Sequence, residues 1–216
     1  MEMTVLIPTY EMQGKGVAML YRCINSVWNQ RQPVRILVTD DSENFAIRDF
    51  CIANEIDYIK NNGQKGAANN LNNGIEHASG LIKPLFQDDM CGDLTPFLEV
   101  KTWGFCTSKH TGGRADHVPY LNDDLKELAL GCNTYGAPSA MAFFKNELRF
   151  DGNLKWLFHC EFYARFQRFF GFPELIKNTF VTIDEWEGSA TNTVVNGHQR
   201  LKDTDLVNWK IKEGYI

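Results

Sequence analysis

The chain has 216 residues, 44% of them hydrophobic and 23% charged, with a formal net charge of −5. That length predicts a single domain burying about 70% of its unfolded surface, and the composition is not that of a disordered chain. The acidic balance argues against a protein that lives on nucleic-acid phosphates, and no apolar run approaches the roughly 18 residues of a membrane helix.

The opening stretch has no basic region ahead of its first apolar run, so a signal peptide is not expected. Thr4–Pro8 is a short, continuous apolar run, the pattern of a strand covered on both faces. Val17, Leu20, Ile24, Val27 and Trp28 then fall on one helical face. Arg35–Thr39 is a second buried strand, ended by Asp40-Asp41-Ser42. A short helix over Ala46–Asn54 and a third strand over Asp57–Lys60 follow. Beyond the polar turn Asn61–Gly66, a helix with Ala67, Leu71, Ile75 and Ala78 inward is expected to stop at Gly80, read as its C′ glycine. Leu81–Gln87 reads as a fourth strand, in which Pro84 predicts an edge or a bulge.

The second half is less regular. Residues 91–135 read as a long loop, either a functional lid or binding loop or a disordered segment. A strand is expected over Gly136–Phe144, a helix over Leu154–Phe169 and a late strand over Phe180–Ile183, while the tail from Asn192 carries no readable pattern. The six cysteines show no zinc spacing and read as reduced core thiols, which predicts a cytoplasmic protein.

Strand–helix alternation with short turns predicts parallel strands joined by right-handed crossovers, with ligands bound beyond the carboxyl ends of the strands. The unusual polar clusters all fall there: Thr9-Tyr10-Glu11, Asp40-Asp41-Ser42, Asn62-Gly63 and Asp88-Asp89. Paired carboxylates at such an edge suit a hard divalent cation whose shell is completed by water and substrate phosphates, although an isolated pair is more often a solvated turn. Asp40-Asp41 suits a base N–H or a ribose hydroxyl, or simply a turn or helix cap. Neither a Walker A loop nor a dinucleotide glycine motif is present. An unpaired buried Glu161 would be costly, so it must meet solvent, a cation or a cavity. Trp103, Trp156 and Trp186 suit either sugar stacking or ordinary packing.

Together these residues resemble glycosyltransferase family 2, the nucleotide-diphospho-sugar transferases of GT-A fold. The resemblance rests on Ile7-Pro8-Thr9-Tyr10, Val38-Thr39-Asp40-Asp41-Ser42, Asn62-Gly63 followed by Asn69–Ile75 and Ala78-Ser79-Gly80, Phe86-Gln87-Asp88-Asp89, Gly136–Ala140 and Phe150–Leu157. It covers roughly residues 3–170. It implies an α/β fold with a mixed, mostly parallel sheet flanked by helices. It also implies one domain, with a nucleotide-binding half over about 1–90 and an acceptor-side half over about 91–216. Pro8, Thr9, Tyr10 and Asp41 would lie at the nucleotide, usually a uridine, with Asn62 and Gly63 beside it. Asp88 would meet the ribose, and Asp89 would ligate Mn²⁺ or Mg²⁺ bridging the two phosphates. The implied reaction is inverting transfer from a UDP-sugar to a hydroxyl of a glycan or lipid-linked saccharide.

Two positions depart from the family pattern. His159 stands where the family carries an aspartate on the acceptor-side helix, within His159-Cys160-Glu161-Phe162-Tyr163-Ala164-Arg165. Histidine is a competent base near neutral pH, so His159 is the first candidate base. Glu161 is the second, and loss of transfer activity is the third outcome. Trp186 stands near where relatives often carry a histidine, which leaves the metal's ligand set open. Two other readings compete with the transferase. One is a non-catalytic nucleotide-sugar-binding module of a glycan-assembly system. The other is a sugar nucleotidyltransferase, for which Gln13-Gly14-Lys15-Gly16 is the only support.

Overall fold

The computed structural model describes residues 2–188 and 196–216. In chain order its strands are β1 (Met3–Thr9), β2 (Arg35–Asp40), β3 (Asp57–Lys60), β4 (Leu81–Pro84), β5 (Met90–Cys91), β6 (Trp103–His110), β7 (Met141–Phe144) and β8 (Glu174–Ile183). The α-helices are α1 (Gly16–Trp28), α2 (Ala46–Ala53), α3 (Ala67–His77), α4 (Leu125–Ala129), α5 (Phe158–Phe170) and α6 (Gly197–Lys212). All eight strands join one mixed sheet in the order β3-β2-β1-β4-β7-β6-β8-β5.

The first half follows the sequence pattern closely. β1 is buried at all seven positions, because parallel neighbours flank it and helices cover its faces. β2, β1 and β4 run parallel, as does β3 beside β2, so their carboxyl ends open on the same edge. Helix α3 lies tightly on β1: a Cβ on Gly74 would fall 2.2 Å from Leu6 Cδ1, so only glycine permits this approach. Two first-half expectations are corrected. Gly80 is not the C′ glycine of α3, whose cap is Ala78. It turns the chain into β4 at φ +65°, packed against the Glu2 carbonyl. Nor does Pro84 mark an edge. β4 is central, and Pro84 ends it beyond the two residues that pair with β7.

The second half departs further. Residues 91–135 are not one long loop. They hold β6 and α4 as well as a 3-10 turn over Thr95–Glu99. Trp103 is fully buried, donates its indole N–H to Gly171 O at 3.0 Å, and packs on Phe105, Tyr135 and Phe166, so it is not available to stack on a sugar. Within Gly136–Phe144 only Met141–Phe144 is strand, preceded by a 3-10 turn over Pro138–Ala140. The expected helix from Leu154 begins only at Phe158, and the late strand starts six residues early, at Glu174. Of the tail, residues 192–195 lie outside the described residues, and α6 occupies Gly197–Lys212. Among the described residues no helix is long and apolar enough to cross a membrane. Of the cysteines, Cys132 is exposed and Cys91 partly so, whereas the other four are buried thiols.

Candidate functional site

The carboxyl ends of β1, β2 and β4 carry two linked polar groups. The first is a closed turn around Asp41. Its backbone N–H donates to Thr9 O at 2.9 Å, placing Asp41 just beyond β2. Its side-chain oxygens accept from Asn61 Nδ2 at 2.6 Å and from the Gly66 N–H at 2.7 Å. Burial pushes the Asp41 pKa upward, and these two hydrogen bonds oppose the rise. Gly66 adopts φ +127°, and Lys155 Nζ lies 2.9 Å from where its Cβ would be, so the turn needs glycine there. Asp40 serves a different purpose. Fully buried, it is bonded by Thr9 Oγ1, Tyr58 OH and the Ser42 N–H, and so fastens the strand ends together.

The position of the asparagines refines the sequence reading. Asn61 is the buried partner of Asp41, while Asn62 beside it is exposed. Asn61 Oδ1 also accepts from the Gly63 N–H at 3.1 Å, a local turn that presents Gly63 and Gln64 outward. Pro8 and Thr9 are buried within β1, whereas Tyr10 is 38% exposed beyond its end. The Tyr10 N–H donates to Gln87 Oε1 at 2.6 Å, and Gln87 Nε2 donates to Gly16 O at 3.0 Å. Gln87 thus stitches the end of β1 to the segment after β4 and to the start of α1. A buried glutamine in that role carries no signal in a single sequence.

The second group is the acidic pair. Asp89 is 5% exposed, accepts from Ser139 Oγ at 2.5 Å and from the Asp184 N–H at 3.2 Å. Burial, then the neighbouring Asp88, raises its pKa to about 8. Burial raises the Asp88 pKa as well, and the Trp186 indole N–H, donating to Asp88 Oδ2 at 3.1 Å, opposes it. Arg22 on α1 donates to Asp88 O at 2.8 Å and pairs with Asp184. Lys15 Nζ sits 5.3 Å from the Trp186 ring centre. Beneath the pair, fully buried Lys83 donates to Pro84 O and to Ser139 O, and burial lowers its pKa. Ser139, Arg22, Asp184 and Lys83 were not anticipated. They come from segments far apart in the chain, and only the fold brings them together.

Asp89 is buried and Asp88 half-buried, burial raises both pKa values, and the Asp88 charge adds to the rise at Asp89; a cation would relieve this site, whose hard oxygens suit Mg²⁺ or Mn²⁺. Among the described residues no cluster of three metal-ligating side chains exists. A cation at Asp89 would therefore draw most of its ligands from water and the phosphates of a ligand.

The candidate bases lie on α5. The start of this helix approaches the Asp41 turn through Lys155, and Asn69 and Asn72 of α3 bond Gly152 O and the Phe150 backbone. His159 is partly buried between Phe158 and Tyr163. Its Nδ1 is sealed without a hydrogen-bond partner, and burial lowers its pKa to about 4. Glu161 is fully buried, gripped by Arg165 at 2.6 and 2.7 Å and by Lys210 at 2.6 Å. Of the three environments the sequence argument allowed Glu161, solvent, a cation or a cavity, it meets cations, and the two occupy both of its oxygens. No hydrogen bond or ion pair joins His159 or Glu161 to Asp88 or Asp89 among the described residues.

Residues 4–89 match the family described as Glycosyl transferase family 2. No curated protein matches the chain. Among solved structures, S. aureus TarS 1-349 in complex with UDP-GlcNAc is similar at 14% identity, covering 98% of this chain and 66% of that one, with a TM-score of 0.65. The same protein in complex with UDP gives 12% identity, 97% and 71% coverage and a TM-score of 0.62. A further TarS 1-349 structure gives 14% identity, 86% and 59% coverage and a TM-score of 0.58. The chain thus spans between 59% and 71% of the length of these TarS 1-349 chains. At such identities the likeness speaks for the fold, and the family match covers the segment that supplies Asp41, Asp88 and Asp89. Residues 4–89 thus match glycosyl transferase family 2, and the fold of the chain as a whole is similar to that of the GT-A glycosyltransferases.

Proposed function

We propose that the protein is a glycosyltransferase that takes its sugar from a UDP-linked donor, with a divalent cation at Asp89, and delivers it to a hydroxyl of a glycan or lipid-linked saccharide. The observation that carries this reading is the paired site on one sheet edge: the Asp41–Asn61–Gly66 turn and the Asp88–Asp89 pair, linked through Tyr10 and Gln87. The TarS structures named with UDP and UDP-GlcNAc support a uridine donor for this fold.

The two groups divide the work. Tyr10 and the Gly63 turn are the outward-facing parts of the first group and meet the base, with Asp41 holding the turn closed. Asp88, braced by Trp186 and Arg22, faces the ribose. Asp89, held by Ser139 and the Asp184 N–H, anchors the cation. When bound, that cation supplies charge neutralisation to the departing nucleoside diphosphate. Inversion needs a base to take the acceptor proton. His159 is the side chain offered for that role: burial keeps its imidazole neutral at physiological pH while also making it a weaker base than a free imidazole. Glu161 does not, because Arg165 and Lys210 occupy its oxygens.

A second reading has its own support. A histidine that acts as a base is ordinarily oriented by an acceptor at its other nitrogen, and His159 Nδ1 has no hydrogen-bond partner. This favours a non-catalytic nucleotide-sugar-binding module. Calorimetric titration of UDP, GDP and CMP, each with and without Mn²⁺, on wild type and Asp89→Ala tests the donor site. UDP alone is expected to bind, with Mn²⁺ and not in the variant. Binding of no nucleotide would sink both readings. Binding of UDP without transfer to any saccharide acceptor would favour the module.

A further inference from the structure

Away from the donor groups, one cavity combines charge with exposed aromatic surface. It encloses about 310 Å³ between Arg149, Asp151, Arg165, Trp209, Lys210 and Tyr215. None of these residues belongs to the donor site.

The cavity's ionic groups are already largely balanced. Arg165 is bidentate on Glu161, and Lys210 bridges Glu161 and Asp151 at 2.6 and 2.5 Å. Two cations and two carboxylates cancel there. Arg149 is the uncompensated charge. Its Nη1 donates to Asn146 O at 2.7 Å and Leu148 O at 2.9 Å, while its Nε and Nη2 make no hydrogen bond among the described residues. Those two backbone bonds fix the guanidinium plane, so its remaining donors are preorganised. On the rim Trp209 and Tyr215 remain 50% and 56% exposed, with ring centres 5.5 Å apart and planes tilted by 34°.

A fork of free N–H donors recognises a planar or tetrahedral anion. A flat aromatic surface with a polar tip takes an apolar ring face while leaving hydroxyls wet. The two side by side match one chemical class. We infer that this cavity is a binding subsite for an anionic saccharide, with the sugar face on Trp209 and Tyr215 and its phosphate or carboxylate on Arg149. The balanced pairs below hold the subsite in shape and add no net charge, so Arg149 sets the preference for an anion. The inference does not depend on the donor reading.

The test is an indole N–H NMR titration of the full chain with glucose 6-phosphate, glucose and inorganic phosphate, the Trp209 resonance being identified by its loss in Trp209→Phe. Glucose 6-phosphate is expected to shift that resonance at millimolar concentration, and more tightly than either fragment. Arg149→Met should weaken it by about tenfold, the order expected for losing a charge-assisted pair. Asp89→Ala should leave it unchanged, which separates this site from the donor site. An unaltered thermal midpoint verifies that each variant is folded. No shift of Trp209 with glucose 6-phosphate would overturn the proposal. So would equal binding of inorganic phosphate, which would reveal an anion site without sugar recognition.

Discussion

The imidazole of His159 is held where its charged form is disfavoured. Burial lowers its folded-state pKa to about 4, while in the unfolded chain it titrates near 6.5. Between these values the unfolded chain binds the extra proton, so this residue's contribution to stability falls as pH drops from about 6.5 towards 4 and is constant above that window. Replacing His159 by Gln removes the titration. Urea unfolding at pH 7 and pH 4.5 should show wild type losing more stability than His159→Gln over that interval, and equal losses would refute the burial argument. The same residue shows what a sequence displays at this scale. Its place on the helix is readable from the surrounding Phe-x-x-Glu-Phe-Tyr pattern. The sealing of Nδ1 by Phe158 and Tyr163 depends on ring packing, which no spacing encodes. Asn61 and Asn62 make the same point. Two adjacent asparagines after β3 are equivalent in sequence, and only the turn geometry buries the first and exposes the second.

At the scale of elements, the junction of α5 and α6 depends on one side chain. Asp203 of α6 is 1% exposed, and its Oδ2 accepts the backbone N–H groups of Lys155, Trp156 and Leu157 at 2.9, 2.6 and 2.9 Å. Gln199, one turn earlier on α6, donates to its Oδ1 at 2.8 Å. The segment entering α5 therefore receives from a distant helix the acceptor that a local cap would ordinarily provide, since Leu157 offers no side-chain oxygen. Asp203→Ala leaves buried amides without a partner and should cost roughly 2–4 kcal/mol in denaturant unfolding, with Asp203→Asn losing less. A loss within experimental error would mean that water replaces the carboxylate. This arrangement also explains why the late helices carry little signal in the sequence. Only Asp203 and Val207 of α6 are buried, so the helix has almost no apolar stripe to read. The start of α5 is set by a tertiary acceptor and not by a local sequence signal.

For the whole molecule, legibility follows the regularity of the connections and not contact range, since Met3 of β1 already pairs with the distant Leu81 of β4. β1 to β4 are joined by local strand–helix–strand crossovers, whose handedness and spacing are properties of short segments. The sheet beyond β4 is assembled from pairings such as β4 with β7 and β5 with β8, both antiparallel and joined by irregular segments, which leave no repeating strand–helix trace. The candidate site divides in the same way. The carboxylates at strand ends could be read, whereas the groups bracing them, Arg22, Ser139 and Asp184, could not. That assembled site has a net electrostatic consequence. The chain carries a formal charge of −5, and the donor edge concentrates Asp41, Asp88, Asp89 and Asp184, with Arg22 already paired to the last of these. Above about pH 8, where Asp89 is ionised as well, a nucleoside diphosphate approaching without a cation meets like charge. Salt shortens the screening length from about 10 Å at 0.1 M to about 3 Å at 1 M, so it should relieve that repulsion. In EDTA, UDP binding is therefore expected to strengthen as NaCl rises from low to high concentration. With Mn²⁺ present the attraction between cation and diphosphate is what salt screens, and the trend should flatten or reverse. A calorimetric salt series in both conditions measures the two slopes. If affinity in EDTA instead falls steeply with salt, the diphosphate is being held by Lys15 and Lys155 rather than by a cation at Asp89, and the acidic pair is not the phosphate-facing part of the site.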